Sequence, residues 1–227
     1  MVIAIDGFSS TGKSSLAKRL ANEFHFLYVD TGAMYRMVAL KVLKSNLSSV
    51  DGEVNEELLK QGLRSISIDF NSSCKGENRA MLDGEMVEND IRSMDVNSVV
   101  SRISSLSIVR KQLVKQQQNM SLGRDLVMDG RDIGTVVFPN ADLKIFMKAN
   151  DDIRAERRLK ELRSNGNLEV SFDQVKNNLI QRDRDDQARE DSPLIQAEGA
   201  RVIDNSRQSE DDVFQLVSSW VRKINNN

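Results

Sequence analysis

The run Gly7-Phe8-Ser9-Ser10-Thr11-Gly12-Lys13-Ser14, followed by Ser15, restricts the fold of this chain more than any other feature. It matches the spacing G-x-x-x-x-G-K-[ST]. It lies between an apolar run at residues 2–5 and a stretch from Lys13 to about Phe24 that puts Leu16, Leu20 and Phe24 on one helical face. A strand, a glycine-containing turn and a helix in that order form a phosphate-binding loop, the P-loop. Glycine lets backbone N–H groups converge on phosphate oxygens without Cβ clashes. The helix N-terminus adds positive potential. Lys13 is placed to reach the β and γ phosphates of a nucleotide, and the Ser14 hydroxyl to ligate Mg²⁺. The motif points to a nucleoside triphosphate and is silent about a second substrate.

The rest of the chain reads as an α/β fold with a mainly parallel sheet. Short apolar runs at 26–29, 126–128, 143–146 and 201–203 join residues 2–5 in a five-stranded set, with helical segments between them. A second helix is expected over 33–44. A last one, over 210–224, has Val213, Leu216, Val217 and Trp220 on one side, Ser209 as N-cap and acidic residues in its first turn. Residues 66–87 break the rhythm. Ile66, Ile68 and Phe70 alternate with polar residues, and Met81, Leu82, Gly84 and Met86 follow a polar turn, which is the pattern of an antiparallel hairpin. Helical stretches are expected on either side, at about 55–63 and 89–119, and residues 225–227 read as a frayed end.

Composition excludes several function classes. A net charge of −2 argues against nucleic acid or an anionic membrane as the main partner, since both select a basic face. The single cysteine, Cys74, has no intrachain disulfide partner and reads as an inert thiol in a reducing compartment. The one histidine, His25, excludes a His-rich zinc site and reads as a solvated turn residue. No apolar run approaches the ~20 residues that span a bilayer, and Met1 to Asp6 lacks the pattern of a signal peptide, so a cytoplasmic protein is expected.

Three further clusters carry chemistry. Asp30-Thr31-Gly32-Ala33-Met34-Tyr35-Arg36 follows the second strand. Asp129-Gly130-Arg131-Asp132-Ile133-Gly134-Thr135-Val136-Val137-Phe138-Pro139 follows the third. Both lie where open α/β sheets bind ligands, past the carboxyl ends of strands. Arg182-Asp183-Arg184-Asp185-Asp186-Gln187-Ala188-Arg189 precedes Ser192-Pro193-Leu194. With the P-loop, these segments closely resemble the bacterial cytidylate kinase (CMP kinase) family, in order and spacing, over essentially the whole chain. The Asp-Gly-Arg-Asp-Ile-Gly-Thr-Val-Val-Phe-Pro element separates that family from adenylate, guanylate and thymidylate kinases.

The resemblance implies a P-loop kinase core with strand order 2-3-1-4-5 (residues 1–61, 102–150 and 166–227), a β-rich monophosphate-binding insertion at 62–101 and a helical lid at 151–165. It implies a monomer that uses ATP, with Mg²⁺, to phosphorylate CMP and dCMP. Position by position, Gly7 to Ser15 match ATP contacts. Arg36, Arg131 and Arg182 match residues on the acceptor phosphate; Thr31, Arg110, Asp132 and Arg189 match those around the cytosine; Ser101, Arg182 and Asp186 match those near the ribose. Phe8 stands where the family usually has proline, and Thr31 where serine is common.

Physical chemistry supports these roles independently. Phosphoryl transfer needs two anions brought in line and their charge neutralised. Several arginines from distant segments suit that task, because guanidinium presents a planar donor fork to phosphate oxygens. Arg154, Arg157 and Arg158 share one helical side, where a lid would bring Arg157 to the transferring group and Arg154 and Arg158 to ATP. The alternative is a solvated face paired with Glu156 and Glu161. Asp129 is expected at the end of its strand, with Ser14, as a metal-site residue. Read alone, the 182–189 cluster is a solvated helix face. Two other functions fit the P-loop: a kinase for UMP or a small metabolite, and a nucleotide switch that signals by conformation.

Overall fold

In a computed structural model, which describes residues 1–45, 56–72, 78–164 and 166–226, the first apolar run forms strand β1 (Val2–Gly7) and the P-loop leads into helix α1 (Lys13–Phe24). The chain continues through β2 (Leu27–Asp30), α2 (Thr31–Lys44), α3 (Glu56–Ser65), β3 (Ile68–Ser72), β4 (Asn78–Leu82), β5 (Glu85–Met86), α4 (Met94–Ser105), α5 (Ser107–Asn119), β6 (Leu126–Gly130), β7 (Leu143–Lys148), α6 (Asp151–Ser164), α7 (Phe172–Gln187), β8 (Arg201–Asp204) and α8 (Glu210–Asn225). Cys74 and the polar turn of the expected hairpin fall outside the described residues, as do Asn55, Asn165 and Asn227 at the ends of expected elements.

The chain divides into two compact units. One comprises Met1–Tyr28 and Arg124–Asn227, the other Val29–Gly123. The five-stranded sheet has the order β2-β6-β1-β7-β8, which is the expected 2-3-1-4-5 pattern once the three strands of the second unit are set aside. β1 pairs in parallel with β6 (Val2 opposite Leu126) and with β7 (Ile3 opposite Leu143), and β8 adds in parallel to β7. Parallel strands are covered on both faces, which is why they read as unbroken apolar runs and not as alternation. Ile3, Ile5 and Val127 are fully buried, with Leu16, Ala17 and Leu20 of α1 and Val213, Val217 and Val221 of α8 in the same cluster. Each such side chain contributes about 1.5–3 kcal/mol by leaving water. Ser209 caps α8 reciprocally with Asp212, as expected. α6 and α7 pack on each other through Ala155, Val175 and Leu179.

In the second unit, β3 and β4 pair antiparallel as the expected hairpin does, and β5 adds a third antiparallel strand. Ile66, Ile68 and Phe70 are all buried, and Asp83-Gly84 turns the chain with positive φ at both residues. Two boundaries of this region differ from expectation. α2 begins at Thr31 and not at Ala33, because the Asp30 carboxylate caps it, accepting the Ala33 N–H at 2.9 Å. The 89–119 stretch is three pieces: a 3₁₀ turn (Asp90–Arg92), α4 and α5. Ser93 takes an extended conformation to cap α4, and Leu106 is extended between the two helices. Ser104 and Ser105 hydroxyls bond carbonyls three residues back, the local competition that weakens serine-rich helices.

Gly7 ends β1 with φ of +141°, and a Cβ there would lie 2.0 Å from the Met147 carbonyl oxygen on β7. Neither backbone can retreat, because the two residues are paired in the sheet. Gly7→Ala is expected to destabilise the fold by at least about 3 kcal/mol, lowering Tm by roughly 6 °C or more. Thermal melts followed by circular dichroism check this.

Candidate active site

The P-loop follows β1 and turns on Ser10 (φ +57°) and Gly12 (φ +90°), both left-handed. Thr11 Oγ1 donates to the Phe8 carbonyl at 2.9 Å, and Lys13 Nζ donates to the same oxygen at 2.6 Å. Lys13 is only 5% exposed. Burial first, and then the charge of Arg131, hold its ammonium well below the usual lysine range; Arg182 adds to the repulsion, while Asp129 and Asp6 oppose it.

β6 extends to Gly130, so Asp129 is its next-to-last residue. Its carboxylate accepts from the Ser14 hydroxyl at 2.8 Å and from the Tyr28 hydroxyl at 2.7 Å. Beyond it, Ile133–Val137 forms a π-helical turn, an arrangement frequent at functional sites. Asp6 holds that turn: Oδ1 accepts the Ile133 N–H at 2.8 Å and Oδ2 the Gly134 N–H at 2.7 Å. Burial pushes the Asp6 pKa up to about 7; the two backbone donors partly offset this, the Asp132 charge adds to it and Lys13 opposes it.

The 182–189 cluster departs from the expected solvated face. On α7, Val175, Leu179, Asp183 and Asp186 recur at helical spacing, so the buried stripe changes from apolar to acidic along one side. Asp186 accepts from Arg131 Nε at 2.9 Å and from Arg189 Nη2. Burial alone would raise its pKa, but Arg131, Arg189 and Arg182 bring it below the usual carboxylate range. Asp183 pairs with Arg154 Nη1 at 2.5 Å.

The three arginines of α6 go different ways. Arg154 is 3% exposed, bonded to Asp183, to Asp151 at 2.6 Å and to the Ser9 carbonyl at 3.2 Å, with its guanidinium 5.4 Å from the Phe8 ring centre. Arg157 bonds the side-chain and backbone oxygens of Asn205, both at 3.0 Å, and Asn205 donates to the Thr11 carbonyl. Arg158 pairs with Glu161 at 2.8 Å near the surface. Phe8 lies edge-on to Phe146, ring centres 5.8 Å apart, so Phe146 and Arg154 brace the position where proline is usual.

Asp132 is buried in the first unit, and the second unit carries Thr31, Arg36, Ser101 and Arg110. Arg36, on α2, donates to Asn97 Oδ1 at 2.6 Å and to the Ile91 carbonyl at 3.2 Å. Arg110 is buried over the Tyr35 ring, centre at 5.4 Å, and donates to the Ser104 carbonyl. Thr31 is buried, and Ser101 is exposed on α4. Asp6, Tyr28, Asn97, Asp183 and Asn205 were not among the expected site residues. Only Asp183 carried a signal, its place in the Arg/Asp cluster.

The first unit thus brings the charges of Arg131 and Arg182 to Lys13 at a helix N-terminus, with the buried Asp186 carboxylate bracing Arg131. That arrangement binds oxyanions. Ser14 and Asp129 add two hard oxygen atoms in mutual contact, the donor type a hard divalent cation selects. Among the described residues no group of three or more His, Cys, Asp or Glu gathers into a protein metal cage, and no helix is long and apolar enough to cross a membrane.

Comparison with known proteins agrees with this geometry. The family model described as cytidylate kinase matches residues 3–223. Cytidylate kinase from Flavobacterium johnsoniae is 48% identical over 99% of this chain and 97% of its own length. The enzyme of that name from Phocaeicola vulgatus is 49% identical over 92% of this chain and 91% of its own. Among solved structures, an uncharacterized protein from Eubacterium ventriosum shares the fold, with TM-score 0.53, 11% identity and 98% of both chains covered.

Asp6 yields a pH test. Its carboxyl ionises at 3.8 ordinarily and at about 7 in the folded chain. Its contribution to stability is therefore complete below the first value and lost as pH rises through the second. Asp6→Asn removes this titration and one of the two side-chain oxygens that accept backbone N–H groups, costing about 1–3 kcal/mol. The Tm gap between wild type and Asp6→Asn is expected to narrow as pH rises towards 7; a gap that widens contradicts the assignment.

Proposed function

Because the chain belongs to the cytidylate kinase family, we propose that it transfers the γ-phosphoryl group of ATP to CMP, and to dCMP, giving the corresponding diphosphate and ADP. The observation that carries this reading is the buried Lys13 ammonium at the P-loop, which also meets repulsion from Arg131 and Arg182. Phosphate oxygens relieve that repulsion. Two phosphorylated substrates suit it better than one, because Arg131 and Arg182 stand outside the P-loop motif that serves ATP.

In this reading the P-loop N–H groups and Lys13 hold the β and γ phosphates, while Arg131 and Arg182 hold the acceptor phosphate. Magnesium, when bound at Ser14 with Asp129 behind it, neutralises phosphate charge. Tyr28 keeps Asp129 turned towards Ser14. The catalytic work of the side chains is positioning and electrostatic stabilisation, since the phosphoryl group needs little covalent help. Lys13→Ala is expected to fold normally and to lose orders of magnitude in kcat, checked by a coupled assay alongside a thermal melt.

Base choice rests on Asp132 with arginine donors. Cytosine has an N4 amino donor beside the N3 and O2 acceptors. A carboxylate at Asp132 accepts from N4, and arginine serves the acceptors. Uracil presents O4 and N3–H in those places, so a carboxylate meets a carbonyl. Sites built on such polar pairs discriminate by up to about 10⁴–10⁵. An acceptor screen with Mg-ATP is expected to rank CMP and dCMP above UMP, with no turnover when acceptor is omitted. ATP hydrolysis that is indifferent to acceptor would indicate a nucleotide switch. Asp132→Ala is expected to lower kcat/KM for CMP by at least about tenfold and leave UMP nearly unchanged. Equal losses on both substrates would show that Asp132 does not read the base.

A further inference from the structure

Ser9 is the third residue of the P-loop, a loop whose work is to hold the donor nucleotide. Its own groups are committed elsewhere. The hydroxyl accepts from Arg131 Nη2 at 2.8 Å, the carbonyl accepts from Arg154 at 3.2 Å, and the N–H faces Asp183 Oδ1 at 3.4 Å. The residue is 7% exposed. Two of these contacts fix the Ser9 backbone from α6 and α7, so the hydroxyl is presented to Arg131 from a fixed point.

Arg131 has five N–H donors in a rigid plane. Nε bonds Asp186 at 2.9 Å, Nη1 the Gly130 carbonyl at 3.3 Å and Nη2 the Ser9 hydroxyl. Asp186 and Gly130 engage one part of the guanidinium; Ser9 is the third point and sets the plane. Two N–H groups are left over, one on each terminal nitrogen, which matches a bidentate grip on an oxyanion.

We infer that Ser9 is a positioning residue for the phosphate acceptor: a P-loop side chain that orients Arg131 and thereby serves the second substrate. The inference rests on the reading above that Arg131 holds the acceptor phosphate. It ties the donor loop directly to the acceptor's phosphate anchor, so the Ser9–Arg131 hydrogen bond helps set how the two phosphates meet. A donor-side role for the hydroxyl would place the effect of its removal on ATP.

The test separates the two substrates. By calorimetry, Ser9→Ala is expected to weaken binding of CMP alone by about tenfold, and to leave binding of a non-hydrolysable ATP analogue alone within about twofold. Steady-state kinetics should repeat the split, with KM for CMP rising and KM for ATP steady. Ser9→Thr, which keeps the hydroxyl, should restore CMP affinity. A double-mutant cycle with Arg131→Lys should be non-additive, because lysine has no Nη2 for Ser9 to hold. If Ser9→Ala does not fold, Ser9→Cys carries the same comparison, since sulfur is a poor acceptor of similar size. A loss confined to the ATP analogue, or additive effects in the cycle, would overturn the inference. Wild-type enzyme that phosphorylates another monophosphate would change the base assignment, and the Ser9 test would be run with that acceptor. Wild-type enzyme with no acceptor-dependent turnover would instead overturn the kinase reading itself.

Discussion

The Asp6 carboxylate, buried at the end of β1, accepts the backbone N–H groups of Ile133 and Gly134. Asp6 immediately precedes the P-loop, and Ile133 immediately follows Arg131 and Asp132. Two hydrogen bonds therefore register the phosphate loop against the segment that carries Arg131 and Asp132. The carboxylate is held in a place that raises its pKa to about 7, so part of its attraction for the two donors is spent on desolvation. Asparagine offers one acceptor oxygen where two are used, and an amide N–H where Gly134 already donates. A carboxylate is the side chain of this size that satisfies both donors.

The buried charges around it follow one layout. Cationic groups lie towards the P-loop, and carboxylates of α7 stand behind them. Asp186 holds Arg131 and Arg189; Asp183 holds Arg154. Buried ion pairs are weak contributors to net stability, because desolvation consumes most of the Coulomb gain. Their return here is geometric. Arg131 keeps one orientation, and a preoriented guanidinium is spared the reorganisation that a flexible cation needs before it can meet an oxyanion. Removing one partner is far costlier than the pair is worth, since the other charge then stays buried alone.

How much of this is legible in the sequence follows from the range of each interaction. The P-loop is a local motif, the parallel strands are unbroken apolar runs, and Ser209 announces the last helix through the three residues after it. All of these need only a short window. Asp6 looks like an ordinary strand end, because its partners lie 127 and 128 residues away. Tyr28 reaches Asp129 over 101 residues and Asn205 reaches Thr11 over 194. No periodicity or spacing rule connects positions so distant. The acidic cluster of α7 misleads for another reason. Charged residues at helical spacing are normally solvated, and it is pairing with Arg154 of α6, Arg131 beyond β6 and Arg189 beyond α7 that makes Asp183 and Asp186 an interior face.

The α6 arginines show what that interior face means for motion. A lid reading from spacing treats Arg154, Arg157 and Arg158 alike, yet their attachments differ in cost. Arg154 is bound by two carboxylates and the Ser9 carbonyl with almost no exposure, so freeing it would strand buried charge on both sides. Arg157 is held by two neutral oxygens of Asn205, bonds worth about 1.5–3 kcal/mol each because the donor is charged. Arg158 has one pairing with Glu161, three residues along the same helix and half exposed, a type of contact worth about 0–1 kcal/mol. Exchange of partners is therefore cheapest at Arg158 and dearest at Arg154. The first turn of α6 belongs to the rigid frame that shapes the P-loop, and any rearrangement towards a bound nucleotide has its lowest cost in the turns beyond it.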